Sequence, residues 1–91
     1  MSVQVLIPTP LRKFTANEET VHVSPGTISA IIDDLEQQFP GIKARLTDDS
    51  GELRRFINIY LNEEDIRFQS GKDTVAADGD AISIVPAIAG G

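Results

Sequence analysis

One stretch, ISAIIDDLEQQF at residues 28–39, limits the architectures open to this chain. Ile28, Ile31, Ile32, Leu35 and Phe39 recur at helical spacing and share one arc of about 100°, while Asp33, Asp34, Glu36 and Gln37 lie outside it. Thr27 stands where its hydroxyl can cap the first turn, and Pro40 and Gly41 stop the helix. In 91 residues there is room for one core. A single apolar stripe on a helix therefore needs a single apolar surface to cover.

The flanking segments supply that surface as strands. VQVLIP (residues 3–8) alternates Val3, Val5 and Ile7 against Gln4, Leu6 and Pro8. After a polar stretch ending in TANEE, TVHV points Val21 and Val23 inward and reads as the second strand of a hairpin, and SPGT is a turn. IKARLTDDSGELRR (residues 42–55) is a weakly patterned connector with a turn at residues 48–51. FINIYLN sets Ile57, Ile59 and Leu61 against Asn58, Tyr60 and Asn62. NEED is a turn, IRF a short pairing segment, ADGD a hairpin turn, and AISIV the last strand with Ile82 and Ile84 inward. The expected fold is α+β: a mixed sheet with one amphipathic helix packed on one face, its first and last strands side by side at the centre as in a β-grasp (ubiquitin-like) fold.

Charge and composition narrow the function. A net charge of −6 and a pI near 4.5 argue against a nucleic-acid binder and favour a partner that presents a basic surface. No cysteine means no thiolate nucleophile and no thiolate metal site. The opening MSVQVLIP lacks the pattern of a signal peptide and no apolar run is long enough to span a membrane, so the expected location is the cytoplasm. His22, the one histidine, lies between two inward valines and reads as an exposed strand residue. Asp48 does not open a calcium loop, because Ile59 stands where glutamate is needed. Asp33 with Asp34 and the acids of NEED read as solvated surface, as do Arg54 and Arg55, and no glycine-rich phosphate loop follows a strand. An enzyme is not expected; catalytic and metal residues are none.

The remaining feature is the ending VPAIAGG. Pro86 lacks an amide hydrogen and tends to end strand pairing, and it biases Val85 toward an extended conformation. The chain thus divides into a domain over residues 1–86 and a flexible Gly-Gly tail over 87–91 whose five residues reach roughly 16–18 Å at full extension. Small residues, Ala89 and Gly90 among them, let such an arm pass a narrow channel, and Gly91 leaves its carboxyl carbon unshielded. A carboxylate must be activated before it reacts, and a partner must do this. Strand parity turns Leu6, Pro8, Asn58, Tyr60 and Val85 outward, an apolar patch for partner docking.

These residues together resemble the ubiquitin-like sulfur carriers of the MoaD/ThiS superfamily. The match covers the opening strand, GTISAIIDDLEQQFPGI, INIYLNEEDIRF and DGDAISIVPAIAGG, and it looks most like the CysO-type carriers that supply sulfur for cysteine synthesis. Pro86 followed by Ala87 departs from the paired prolines of molybdopterin-synthase small subunits, and the LTDDSGELRR connector departs from the shorter thiazole-pathway carriers. The resemblance implies that Gly91 carries first an acyl-adenylate and then a thiocarboxylate, with Gly90 keeping the approach clear. It implies an E1-like (MoeB/ThiF-type) adenylating enzyme using ATP and Mg, a PLP-dependent cysteine synthase acting on O-phosphoserine, and a metal-dependent peptidase that releases cysteine. None of these cofactors would be bound by this chain. The alternatives are a molybdopterin synthase small subunit, a thiazole-pathway carrier, a ubiquitin-like protein modifier, or an interaction domain with an incidental Gly-Gly end.

Overall fold

The computed structural model describes residues 2–86. Strand β1 (Val3–Leu6) pairs antiparallel with β2 (Thr20–Val23) and parallel with β7 (Ala81–Pro86). On its other side β7 pairs antiparallel with β4 (Ile57–Leu61), which pairs with the edge strand β5 (Glu64–Asp65). The sheet order β2-β1-β7-β4-β5 puts the first and last strands at the centre, as their apolar alternation requires. One inner row runs through Val21, Val5, Ile82 and Leu61, all buried.

Helix α1 (Ile28–Gln38) lays Ile28, Ile31, Ile32 and Leu35 into the core with the inner face of the sheet. Burying each such side chain contributes about 1.5–3 kcal/mol. The Thr27 hydroxyl accepts from the Ala30 N–H at 3.1 Å, the cap expected of it. Phe39 is half-buried beyond the last turn and packs against the core.

Four segments depart from the sequence expectation. The connector over 42–55 belongs to the core: Ile42 and Leu46 are both fully buried, Leu46 on the short helix α2 (Lys43–Leu46), and Thr47 and Leu53 close a bridge across the turn. One helical turn is too short to show a period, which is why its two aliphatics look unpatterned. The polar stretch after β1 contains a 3-10 helix, Thr9–Phe14, that buries Leu11. Thr15 behind it is buried, its hydroxyl hydrogen-bonding to the Arg12 and Glu18 carbonyls.

ADGD does not close a hairpin. The residues before it, β6 (Val75–Ala76), pair instead with β3 (Gly26–Thr27) ahead of α1. Asp78 and Gly79 then bond to the backbone of Ser2 and steer the chain into β7. IRF does not pair either; Glu64 and Asp65 do, across a turn whose Asn62 and Glu63 have φ of +50° and +81°. Ile66 is drawn into the core instead, on the 3-10 turn Ile66–Phe68. The tail over 87–91 lies outside the described residues.

Candidate functional site

Parity in the strands builds the outer face of the sheet. Leu6 on β1 stands opposite Ser83 on β7, and Ser83 opposite Tyr60 on β4, so the three form one row. Val85 stands opposite Asn58 in the adjoining row. Leu6 is 43% exposed and Val85 41%, while Asn58 and Tyr60 are half-buried. Pro8 is half-buried at the start of the 3-10 turn, where its carbonyl accepts from the Leu11 N–H at 2.9 Å. The outward residues expected from the sequence are therefore outward, with Leu6, Tyr60 and Val85 on three adjacent strands.

Sequence reasoning missed the polar border of this face. Arg67 donates to Asp65 at 2.9 Å through Nη2 and also to the amide oxygen of Asn58. Its guanidinium and then its backbone N–H hold the Asp65 carboxyl below the usual aspartate value, and Asp65 in turn raises Arg67. The bonds lock Asn58 at the rim of the patch. No local pattern announces this group, because Asn58 and Arg67 lie on separate elements. Phe68, in the same turn as Arg67, is 88% exposed.

Three of the polar residues weighed in the sequence have structural partners among the described residues. His22 is exposed and shares a hydrogen bond with the Ser2 hydroxyl at 3.2 Å. Asp33 is ion-paired with Lys43, and Asp34 accepts from the Ser24 N–H. At the end of the sheet, Pro86 stands opposite Ile57, whose N–H donates to the Arg54 carbonyl instead. Having no N–H, Pro86 cannot extend the ladder by donating. Ala89, Gly90 and Gly91 lie outside the described residues.

Known proteins share both the sequence and this geometry. The ThiS family model matches residues 5–91. The sulfur carrier protein CysO of Mycobacterium tuberculosis is 50% identical over 93 residues, covering all of both chains. The crystal structure of the Amycolatopsis orientalis BexX/CysO complex superposes with a TM-score of 0.91 at 48% identity, over 98% of this chain and 99% of that one. The crystal structure of M. tuberculosis CysO gives a TM-score of 0.90 at 49% identity, over 94% and 99%. These relatives are named as carriers and not as catalysts. The chain belongs to the ThiS family: it is a ubiquitin-like, β-grasp sulfur carrier protein of the CysO type.

Proposed function

We propose that the working group of this protein is the carboxylate of Gly91, which an E1-like adenylating enzyme of the MoeB/ThiF type activates with ATP and Mg. The carboxylate oxygen attacks the α-phosphorus, pyrophosphate leaves, and a sulfur donor then displaces AMP to give the thiocarboxylate. The thiocarboxylate sulfur adds to an aminoacrylate formed from O-phosphoserine on a PLP-dependent cysteine synthase. An acyl shift leaves cysteine amide-linked to Gly91, and a metal-dependent peptidase releases it. The observation that supports this most is the full-length identity to CysO, with the family match running through Gly90 and Gly91.

In this reading the partners dock on Leu6, Pro8, Tyr60 and Val85, and the five residues after Pro86, Ala89 and Gly90 among them, are small enough to enter the partner's channel. The outward placement of Leu6, Tyr60 and Val85 on three adjacent strands supports it. No helix among the described residues is long and apolar enough to cross a membrane, and we place the reaction in the cytoplasm.

The test is to incubate the protein with an adenylating enzyme, ATP, Mg and sulfide and to weigh the product. Replacement of one oxygen by sulfur is expected, and deletion of Gly91 abolishes it. Purified thiocarboxylate given to a cysteine synthase with O-phosphoserine should yield a cysteinyl adduct. Turnover by a molybdopterin synthase large subunit or a thiazole synthase in place of this adduct moves the sulfur to another pathway. A ladder of lysine conjugates would make the protein a modifier.

A further inference from the structure

The chain carries 14 acidic side chains and 8 basic ones, so each lysine and arginine has carboxylates to spare. Arg12, Lys43, Arg67 and Lys72 take them, pairing with Glu19, Asp33, Asp65 and Glu52. Among the described residues Lys13, Arg45, Arg54 and Arg55 have no carboxylate within ion-pair distance, and the first three converge on one cleft. It has a volume of about 450 Å³ and an apolar floor that includes Leu11, Phe56 and Pro86, and among the described residues no acidic one lines it. Three elements far apart in sequence bring the cations there: the first 3-10 helix, α2, and the strand-entry segment before β4.

Two of these cations flank one aromatic ring and the third bonds to the backbone. The Lys13 ammonium lies 5.5 Å from the centroid of the Phe14 ring and the Arg45 guanidinium 5.6 Å from the same centroid. Arg54 donates through Nε to the Ala44 carbonyl at 3.1 Å, which leaves the outer nitrogens of its guanidinium to turn elsewhere. Both partners of the Phe14 ring are positive and repel each other, and neither has a carboxylate within ion-pair distance among the described residues. Phe56, 48% exposed, keeps an aromatic side chain open on the cleft floor. Unpaired cations around an apolar floor are complementary to a ligand that brings negative charge and an apolar side chain together.

We propose that this cleft receives an acidic segment of the adenylating enzyme, in which carboxylates flank an aliphatic or aromatic residue. Its place supports this occupant: the cleft includes Pro86, the last residue before the tail, so a segment seated there is within reach of any enzyme acting on Gly91. On a protein of net charge −6, an acidic segment is repelled by much of the surface and accepted where unpaired cations gather. The cleft thereby sets the register of docking, and the apolar sheet face contributes the contact area. The identity of the partner rests on the reading of Gly91 given above; the chemistry of the cleft does not.

Two measurements test the proposal. In the first, the isotope-labelled protein is titrated with a short blocked peptide of alternating glutamate and leucine, followed by NMR. Saturable shifts are expected at Lys13, Arg45 and Phe56, abolished by high salt and by the double variant Lys13→Gln/Arg45→Gln. A peptide with lysine in place of glutamate should leave these residues unmoved. Failure of the acidic peptide to shift them, or an equal effect of the basic one, overturns the site. In the second, pyrophosphate exchange by the adenylating enzyme is measured with Lys13→Gln/Arg45→Gln and with Lys43→Gln/Lys72→Gln, which removes the same charge from ion-paired positions. The first double variant should raise KM about tenfold with kcat unchanged, and the control should not. Equal KM for the two overturns the proposal even where the peptide binds. If the unaltered protein is not adenylated, the reading of Gly91 falls, and the peptide titration still decides the cleft.

Discussion

The carboxylate of Glu36 accepts hydrogen bonds from the backbone N–H of Gly41, five residues on and past the end of its own helix, at 3.1 Å to each oxygen. It also accepts from the Lys43 N–H at 2.9 Å. One side chain thus satisfies an amide in the segment between α1 and α2 and the first amide of α2, and ties that segment back to α1.

These bonds predict the acid side of the stability curve. The Lys43 and then the Gly41 N–H lower the Glu36 pKa from its ordinary 4.5. Asp65 is lowered by Arg67, and Asp80 by the Ala77 N–H and then by the Asn62 side chain, both from 3.8. A carboxyl whose folded pKa is depressed stabilises the fold fully above its unfolded value and loses that contribution as pH falls through the folded one. The Tm should therefore be flat from neutrality down to mildly acid pH, then fall as pH drops below these ordinary values. In Glu36→Gln the decline should be shallower and the Tm at neutral pH lower. Superimposable Tm–pH curves for the two proteins would remove Glu36 from the account.

Gly41→Ala should destabilise the protein through two separable causes. Gly41 has φ of +102°, and an added Cβ would lie 3.1 Å from Cε1 and 3.3 Å from Cδ1 of Phe14. Backbone strain of this kind costs about 1–3 kcal/mol. Urea unfolding should show a loss in that range, and a smaller loss when Phe14→Leu is already present, since the ring then no longer blocks the methyl. An additive double variant would mean that the backbone conformation alone sets the cost.

Ile42→Ala should cost about 2–5 kcal/mol, the range for truncating a fully buried aliphatic. Ile42 is 0% exposed although it stands in a segment without apolar periodicity. The exposed neighbour Ala44, changed to Ser, should shift stability by no more than about 0.5 kcal/mol. Chemical denaturation of both variants checks the contrast, and equal effects would place the 42–46 segment outside the cooperative core.

Val85→Asp should separate docking from folding. Val85 is on the outer face, away from the helix, so the charge meets solvent; the strand preference of valine over aspartate limits the loss to about 1 kcal/mol. Adenylation should weaken, with KM raised, because the charge sits in the patch that an apolar partner surface must cover. Unchanged activation kinetics in a folded variant would show that the face is not the docking surface.

Much of this molecule is written in local periodicity. The spacing of Ile28, Ile31, Ile32 and Leu35 specifies the helix and its buried side, and alternation through residues 57–61 and 81–85 specifies which strand residues face it. Leu6, Tyr60 and Val85 could be assigned to the outer face for the same reason: with a period of two, knowing the inner residues settles the outer ones. The glycine ending and the resemblance it carries are likewise properties of adjacent residues.

Contacts between distant segments leave no such trace. Ile42 and Leu46 become core residues only because the segment carrying α2 folds back beside α1, and Val75 and Ala76 become a strand only because Gly26 and Thr27 lie beside them. Asn58 meets Arg67, and Lys13 meets Arg45 and Arg54, only once the chain is folded. Periodicity records which way a side chain points along its own element. Which other element waits there is decided by the packing of the whole chain, and both the polar border of the outer sheet face and the cationic cleft were made at that level.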